Sequence, residues 1–273
     1  MIKSCVTISL VPSLAGGPWI YWDELKVSIP KAKALGFDAV ELFTASAHAI
    51  NPADLSALLA EHNINLAAVG TGAGKVLRRL YLTSPDSEIR RRAREFIAEM
   101  IDFGAPFGAP AVIGSMQGCV EQGIEREQAL GWLAEGLREL GARAAEKGVR
   151  LILEPLNRYE TDMINLLNQG AELIKAAECK NVVLLADLFH MNIEEKSIAD
   201  SIRAAGDHIG HVHFADSNRR PAGLGHTDFT PIADALREID YDGYASAEAF
   251  AYPDPDRAAA QTIKAYKQFL AQS

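Results

Sequence analysis

Short, continuous apolar runs rich in β-formers alternate along this chain with longer stretches of helical character. Four of the runs in the second half end on an ionisable residue. Leu151 to Leu153 delivers Glu154, with Pro155 immediately after. Val182 to Ala186 delivers Asp187, and His190 follows three residues on. Ile209 to Val212 delivers His213, and Tyr244 to Ala247 delivers Glu248. Such runs do not alternate apolar and polar, so they read as strands buried on both faces, as in a parallel sheet covered by helices.

The first half follows the same rhythm. Strands are expected over Ser4 to Leu10, Asp38 to Phe43 (apolar apart from Glu41), Asn65 to Val69 and Ala111 to Gly114. Asp23 is expected to cap a helix that Gly36 stops. Asn51-Pro52, Ser84-Pro85, Thr230-Pro231 and Asp254-Pro255 each offer a side-chain acceptor and then a proline that needs no donor, the pattern of a helix start. Further helices are expected near 126–147, 169–177 and 197–205. Eight strand–helix pairs result, at about 34 residues each, a fitting size for a βαβ repeat. Eight units favour closure into a single-domain (β/α)8 TIM barrel over residues 1–273. In such a barrel the C-terminal ends of the strands form the functional rim. All four ionisable residues fall at strand C-termini.

Composition narrows the function. The chain has 273 residues, 48% hydrophobic and 23% charged, with a net charge of -9. That is enough apolar material for a sizeable core. The acidic balance argues against nucleic acid, whose phosphates are bound by basic side chains, and mildly against anionic membranes. No apolar run is long enough to span a bilayer. Cys5, Cys119 and Cys179 are scattered and odd in number, which fits a reducing, cytoplasmic compartment.

Several motifs fail on inspection. Gly70-Thr71-Gly72-Ala73-Gly74-Lys75 follows a strand but matches neither the P-loop nor the dinucleotide fingerprint. It reads as a flexible rim loop or a plain tight turn. No GxSxG elbow is present, and Cys119 has no histidine beside it in sequence.

Each rim residue alone has a plain explanation. Glu154 could pair with Arg158, Asp187 could cap a helix, His213 could be a hydrogen-bonded barrel residue, and Glu248 could pair with a neighbouring base. Together they are harder to dismiss, because buried carboxylates are costly unless paired or metal-bound. Three carboxylates and one imidazole suit Mn²⁺, with Mg²⁺ or Co²⁺ as alternatives, better than a closed zinc site. His211 is left open: it is assigned to the far side of its strand, with the same face as His213 kept as the alternative.

The strings EPLNRYE, ADLFHMNIEE, HVHFADSNR and ASAEAF resemble the sugar isomerase/epimerase superfamily of xylose-isomerase-like barrels. Within it they resemble the ketose 3-epimerases of the D-tagatose/D-psicose group and the related 5-keto-L-gluconate epimerases. VGTG, SPDSEIRRRA and GLGHTDF extend the likeness over most of the chain. The resemblance implies metal ligation by Glu154, Asp187, His213 and Glu248, with Glu154 and Glu248 doubling as the acid/base pair. It implies that Glu160, His190 and Arg219 hold substrate hydroxyls, although His190 could merely brace Asp187. The reaction implied is inversion of the carbon beside a ketone through a cis-enediolate, on a small-molecule sugar or sugar acid. The family also implies a homo-oligomer, a dimer or tetramer. Leu188 and Pro155 look more like the sugar-acid branch; Arg78, Arg79, Arg219 and Arg220 could also serve an acidic substrate, with a solvated rim as the equal reading of Arg78 and Arg79. Aldose–ketose isomerisation and inositol-type dehydration are rivals on the same scaffold. A phosphodiesterase of the endonuclease IV kind and a non-catalytic sugar-binding barrel are more distant ones.

Overall fold

The structure is a computed structural model and describes residues 1–271. Eight parallel strands close into a barrel in chain order. They are β1 (Lys3–Ser9), β2 (Ala39–Phe43), β3 (Asn65–Gly70), β4 (Ala111–Ile113), β5 (Leu151–Leu153), β6 (Val182–Asp187), β7 (Ile209–His213) and β8 (Tyr244–Ala247). The expected (β/α)8 barrel is therefore the fold. Eight helices cover it: Leu25–Leu35, Pro52–His62, Ser87–Gly104, Arg126–Glu146, Leu167–Ala176, Ile198–Ala205, Phe229–Glu238 and Pro255–Phe269. Two short ones, Ala73–Arg78 and Leu188–Glu194, sit on the rim after β3 and β6.

The strands are apolar on both faces because both faces are covered. Leu151 and Leu153 belong to the core that packs against the outer helices, whereas Ile152 joins Ala68, Val112, Val183 and Leu185 inside the barrel. Two residues further along, the inward positions become polar: Glu154 follows Ile152, and Asp187 follows Leu185. The interior is thus an apolar plug with an ionisable layer on top.

Two irregularities set the phase of that layer. Pairing of β7 with β6 runs Leu184 to Ile209 and then Leu185 to His211, so Gly210 is skipped and Asp187 lies directly across from His213. A side chain at Gly210 would collide with Val183. A similar slip between β2 and β3 passes from Val40–Leu66 to Glu41–Ala68. Bulges of this kind re-aim side chains near functional sites.

Some local expectations need correction. Asn51 and Asp254 cap their helices as expected, with side chains accepting from Ala53 N and Arg257 N. The helix after Ser84-Pro85 instead begins at Ser87, with Asp86 as its cap. The one around Thr230-Pro231 begins at Phe229, with Asp228 as its cap. An aspartate was available just upstream in one case and just downstream in the other, and Pro231 is tolerated because the first helical turn leaves its N–H groups unpaired anyway. Asp23 is not a cap; Glu24 holds that position without a side-chain bond. Of the two readings of the glycine-rich segment after β3, the tight turn is the one found. The segment turns into the helix from Ala73, and its glycines serve close approach: a Cβ on Gly72 would press on Phe43 and Ser115, and one on Gly74 on Met116.

Candidate metal centre and active site

The four rim residues converge. Glu154, Asp187, His213 and Glu248 offer ligand atoms that all lie within 4.8 Å of one another. His213 Nδ1 is the common point, 3.2 Å from Asp187 Oδ2, 3.4 Å from Glu154 Oε1 and 3.6 Å from Glu248 Oε2. Atoms on opposite sides of one ion with bonds of about 2.1 Å would stand about 4.2 Å apart, so the cluster is of the right size for a single cation.

Local sequence explains how each side chain is held. Glu154 keeps its backbone in the sheet through a bond to Ile113 O, and its carbonyl accepts from the buried Gln117 side chain. Its carboxylate occupies space that a Cβ on Gly114 would fill. Asp187 divides its two oxygens. Oδ1 accepts from the backbone of Phe189 and His190 and so caps the Leu188–Glu194 helix, which leaves Oδ2 for the cluster. The plain helix-cap reading and the ligand reading are both compatible with one carboxylate. The plain reading of Glu154 is not supported, because Arg158 pairs with Glu194.

The electrostatics favour a cation. Burial by itself would lower the pKa of His213, but Glu41, Glu248, Asp187 and Glu154 outweigh it and hold the imidazole well above its ordinary value. Asp187 goes the other way. Burial would raise it, yet His190, His213 and Arg219 hold it below the usual carboxylate range. Glu248 is pushed up to about 7, chiefly by burial, against the pull of His213 and Arg219 and with help from the neighbouring Glu154 and Asp187. Glu154 Oε1 is buried and has no hydrogen-bond partner. An orphaned carboxylate oxygen facing two more carboxylates and an imidazole is the donor set of a hard divalent ion, so the residues fit Mn²⁺, Mg²⁺ or Co²⁺.

The expected substrate-binding residues stand beside this cluster. Arg219 donates to Glu248 Oε2 at 2.6 Å and approaches Glu160 Oε1 at 3.4 Å. Its φ of 57° is strained for a non-glycine residue. The strain is held by its backbone bonds to Asp216 O and from Phe250 N. Asp216 is in turn fixed by accepting from the backbone of Ser217, Gly223 and Thr227. His190 is buried, and both the backbone and side-chain N–H groups of Asn157 converge on its Nδ1, at 3.2 and 2.7 Å. The ring proton therefore sits on Nε2, which is buried and unpartnered and lies 3.8 Å from Asp187 Oδ2. It is a donor waiting for an acceptor.

A cavity of about 200 Å³ opens above the cluster. Glu41, Glu154, Glu248, His213, Glu160 and Arg219 are its ionisable lining, and Trp19, Phe43, Val76 and Leu156 are among its apolar lining. Leu188 does not reach it; its side chain is wholly buried in the core. Of the arginines expected to serve an acidic substrate, Arg219 lines the cavity, whereas two others stack on aromatic rings. Arg78 lies over Phe96 and Arg220 over Tyr252.

Glu41 is the residue that sequence reasoning passed over. It is buried in β2 and contacts His211 and His213. His211 shares the inward face with His213, so its placement on the far side of the strand is corrected. Residues two apart on a strand point the same way. The available signal was Glu41 itself, the one charge in an otherwise apolar strand interior.

Comparison with known proteins agrees with this architecture. The family described as xylose isomerase-like TIM barrel matches residues 29–269. A D-psicose 3-epimerase of Ruminiclostridium cellulolyticum is 30% identical over 241 residues, covering 85% of this chain and 82% of that protein. A 3-dehydro-D-guloside 4-epimerase of Escherichia coli is 40% identical over 112 residues, 41% of this chain and 43% of that protein. The crystal structure of D-psicose 3-epimerase with D-tagatose from Clostridium cellulolyticum H10 superposes with a TM-score of 0.81 at 26% identity, covering 99% of this chain and 100% of that one. The chain belongs to the xylose isomerase-like TIM barrel family and stands among its epimerases, enzymes of the isomerase class.

Proposed function

We propose that this protein is a divalent-metal-dependent ketose epimerase that inverts the carbon beside the ketone by proton exchange between Glu154 and Glu248. The observation that carries this is the pair of glutamates just after β5 and β8, whose carboxylate oxygens stand 3.4 and 3.6 Å from His213 Nδ1 and within 4.8 Å of each other. Inversion needs one group to take the carbon-bound proton and another to return one on the opposite face. Glu248, pushed up to about 7 by burial before any ion is bound, is the better suited of the two to carry the proton. Glu154, with an unpartnered oxygen at the cavity floor, is suited to accept.

Glu154, Asp187, His213 and Glu248 would hold the ion, with Mn²⁺ the first choice for a set of three carboxylates and one imidazole. When bound, it would polarise the ketone and the neighbouring hydroxyl and so favour loss of the proton between them. The other residues orient the sugar. His190 donates from Nε2 to a hydroxyl near the ketone. Arg219 supplies positive charge beside Glu248, and Glu160 accepts from a further hydroxyl.

The cavity supports a neutral ketose over a keto-sugar acid. Arg219, the one arginine or lysine in its lining, is already engaged by Glu248 and Glu160. The same two-carboxylate exchange would serve a carbon one place further along a keto-sugar, which the guloside 4-epimerase relative keeps as a second reading.

The test is turnover of the Mn²⁺-loaded protein with a panel of ketohexoses, ketopentoses and keto-sugar acids in deuterated water. One deuterium should enter at the inverted carbon of a neutral ketose, and its position separates the two readings. Label at C1 or C2 of an aldose product would identify an aldose–ketose isomerase instead. Glu154→Gln and Glu248→Gln should each lower kcat by about three orders of magnitude or more. Substantial turnover in either variant contradicts the scheme.

A further inference from the structure

Glu41 lines the same cavity and meets His213 at Nε2, whereas the other three carboxylates face Nδ1. Its Oε1 is 3.2 Å from His213 Nε2, and its Oε2 is 2.9 Å from His211 Nε2. All three residues are no more than 5% exposed. A buried carboxylate is costly unless both oxygens are satisfied, and here two imidazoles satisfy them. The two rings meet edge-on, with centroids 5.5 Å apart.

The arrangement has a consequence for His213. Its Nδ1 faces Asp187, Glu154 and Glu248, so a cation there needs that nitrogen bare and the ring proton on Nε2. A neutral imidazole in isolation has no such obligation. An acceptor placed at Nε2 selects this tautomer and fixes the plane of the ring.

We infer that Glu41 and His211 are positioning residues for the metal centre: Glu41 holds His213 with its proton on Nε2 and its Nδ1 aimed at the ion, and His211 anchors the second oxygen of Glu41 so that the carboxylate cannot rotate away. This rests on the assignment of Glu154, Asp187, His213 and Glu248 as a divalent-cation site. The bulge at Gly210 belongs to the same device, since it brings His211 and His213 into step with Leu185 and Asp187.

The test is Mn²⁺ binding to the full-length protein by calorimetry, with the melting temperature of the metal-free protein as a control for folding. Glu41→Met has a similar reach but offers only a weakly accepting, uncharged thioether, and should weaken Mn²⁺ binding by about ten- to a hundredfold. Glu41→Gln can still accept from His213 Nε2 and should recover most of that loss. A merely structural role would follow the melting temperature and would not separate the two variants in this order. If Glu41→Met does not fold, His211→Phe carries the test, with a loss of several-fold expected. Unchanged Mn²⁺ affinity in the folded variant overturns the inference. So does a wild type that binds two Mn²⁺ per chain with the second lost on changing Glu41, because Glu41 and His211 would then be ligands themselves. If the wild type binds no Mn²⁺ at all, the metal centre itself is wrong, a distinct failure.

Discussion

At the scale of single residues, the centre works by giving similar side chains different surroundings. Glu154 and Glu248 are both strand-end glutamates, yet only Glu248 has Arg219 at 2.6 Å, and only Glu154 has a buried oxygen with no partner. His213 is held well above its ordinary pKa by the carboxylates around it. A metal ligand must surrender that proton. Mn²⁺ affinity should therefore rise as the pH rises through and above the ordinary imidazole range, with protons released as the ion binds. Calorimetry in buffers of different ionisation enthalpy reads this directly, and a pH-independent affinity with no proton release would contradict the proposed role of His213. The four converging residues were legible in sequence because each ends an apolar run, where an ionisable group is costly without a purpose. Glu41 was not, because it lies inside its strand and its partners are 170 and 172 positions away.

At the scale of elements, glycines and turns decide whether the side chains can reach one another. Gly114, just past β4, leaves the space that the Glu154 carboxylate fills. Gly114→Ala should displace Glu154, weaken Mn²⁺ binding and lower kcat by at least about tenfold while the protein still melts cooperatively. Wild-type metal affinity in that variant would show that Glu154 is not held where the centre needs it. Strand identity and order could be read from the apolar runs, but helix starts were read less well. Thr230-Pro231 does fall in the first turn of its helix, whereas Ser84-Pro85 stands just ahead of its own, and Asp228 and Asp86 made the caps. Gly70 to Lys75 read either as a loose loop or as a tight turn, because glycine spacing is the same for a free backbone and for one packed tightly against Phe43 and Met116. Only the packing partners tell them apart.

At the scale of the whole molecule, closure of the barrel does what no local segment can. Glu154 and Glu248 are far apart in sequence, and they meet because β1 pairs with both β2 and β8. The eight-unit rhythm made closure predictable, whereas the slips that phase the rim, at Gly210 and beside Glu41, depend on pairing between strands and leave no periodic trace in the sequence. The acidic chain, at a net charge of -9, also raises the local concentration of cations around it. Because the ion would join residues from β5, β6, β7 and β8, its binding should stabilise the entire barrel. At about a hundredfold excess over Kd the gain is about 2.7 kcal/mol, or a rise in Tm of about 5 to 10 °C over the chelator-treated protein. No change in Tm on adding Mn²⁺ would contradict a centre that spans these strands.

The most direct measurement is a crystal structure of the Mn²⁺-soaked protein with anomalous diffraction at the manganese edge. One anomalous peak within bonding distance of Glu154, Asp187, His213 and Glu248 is the predicted result. A peak elsewhere, or one bound by fewer than three of the four, would contradict the account.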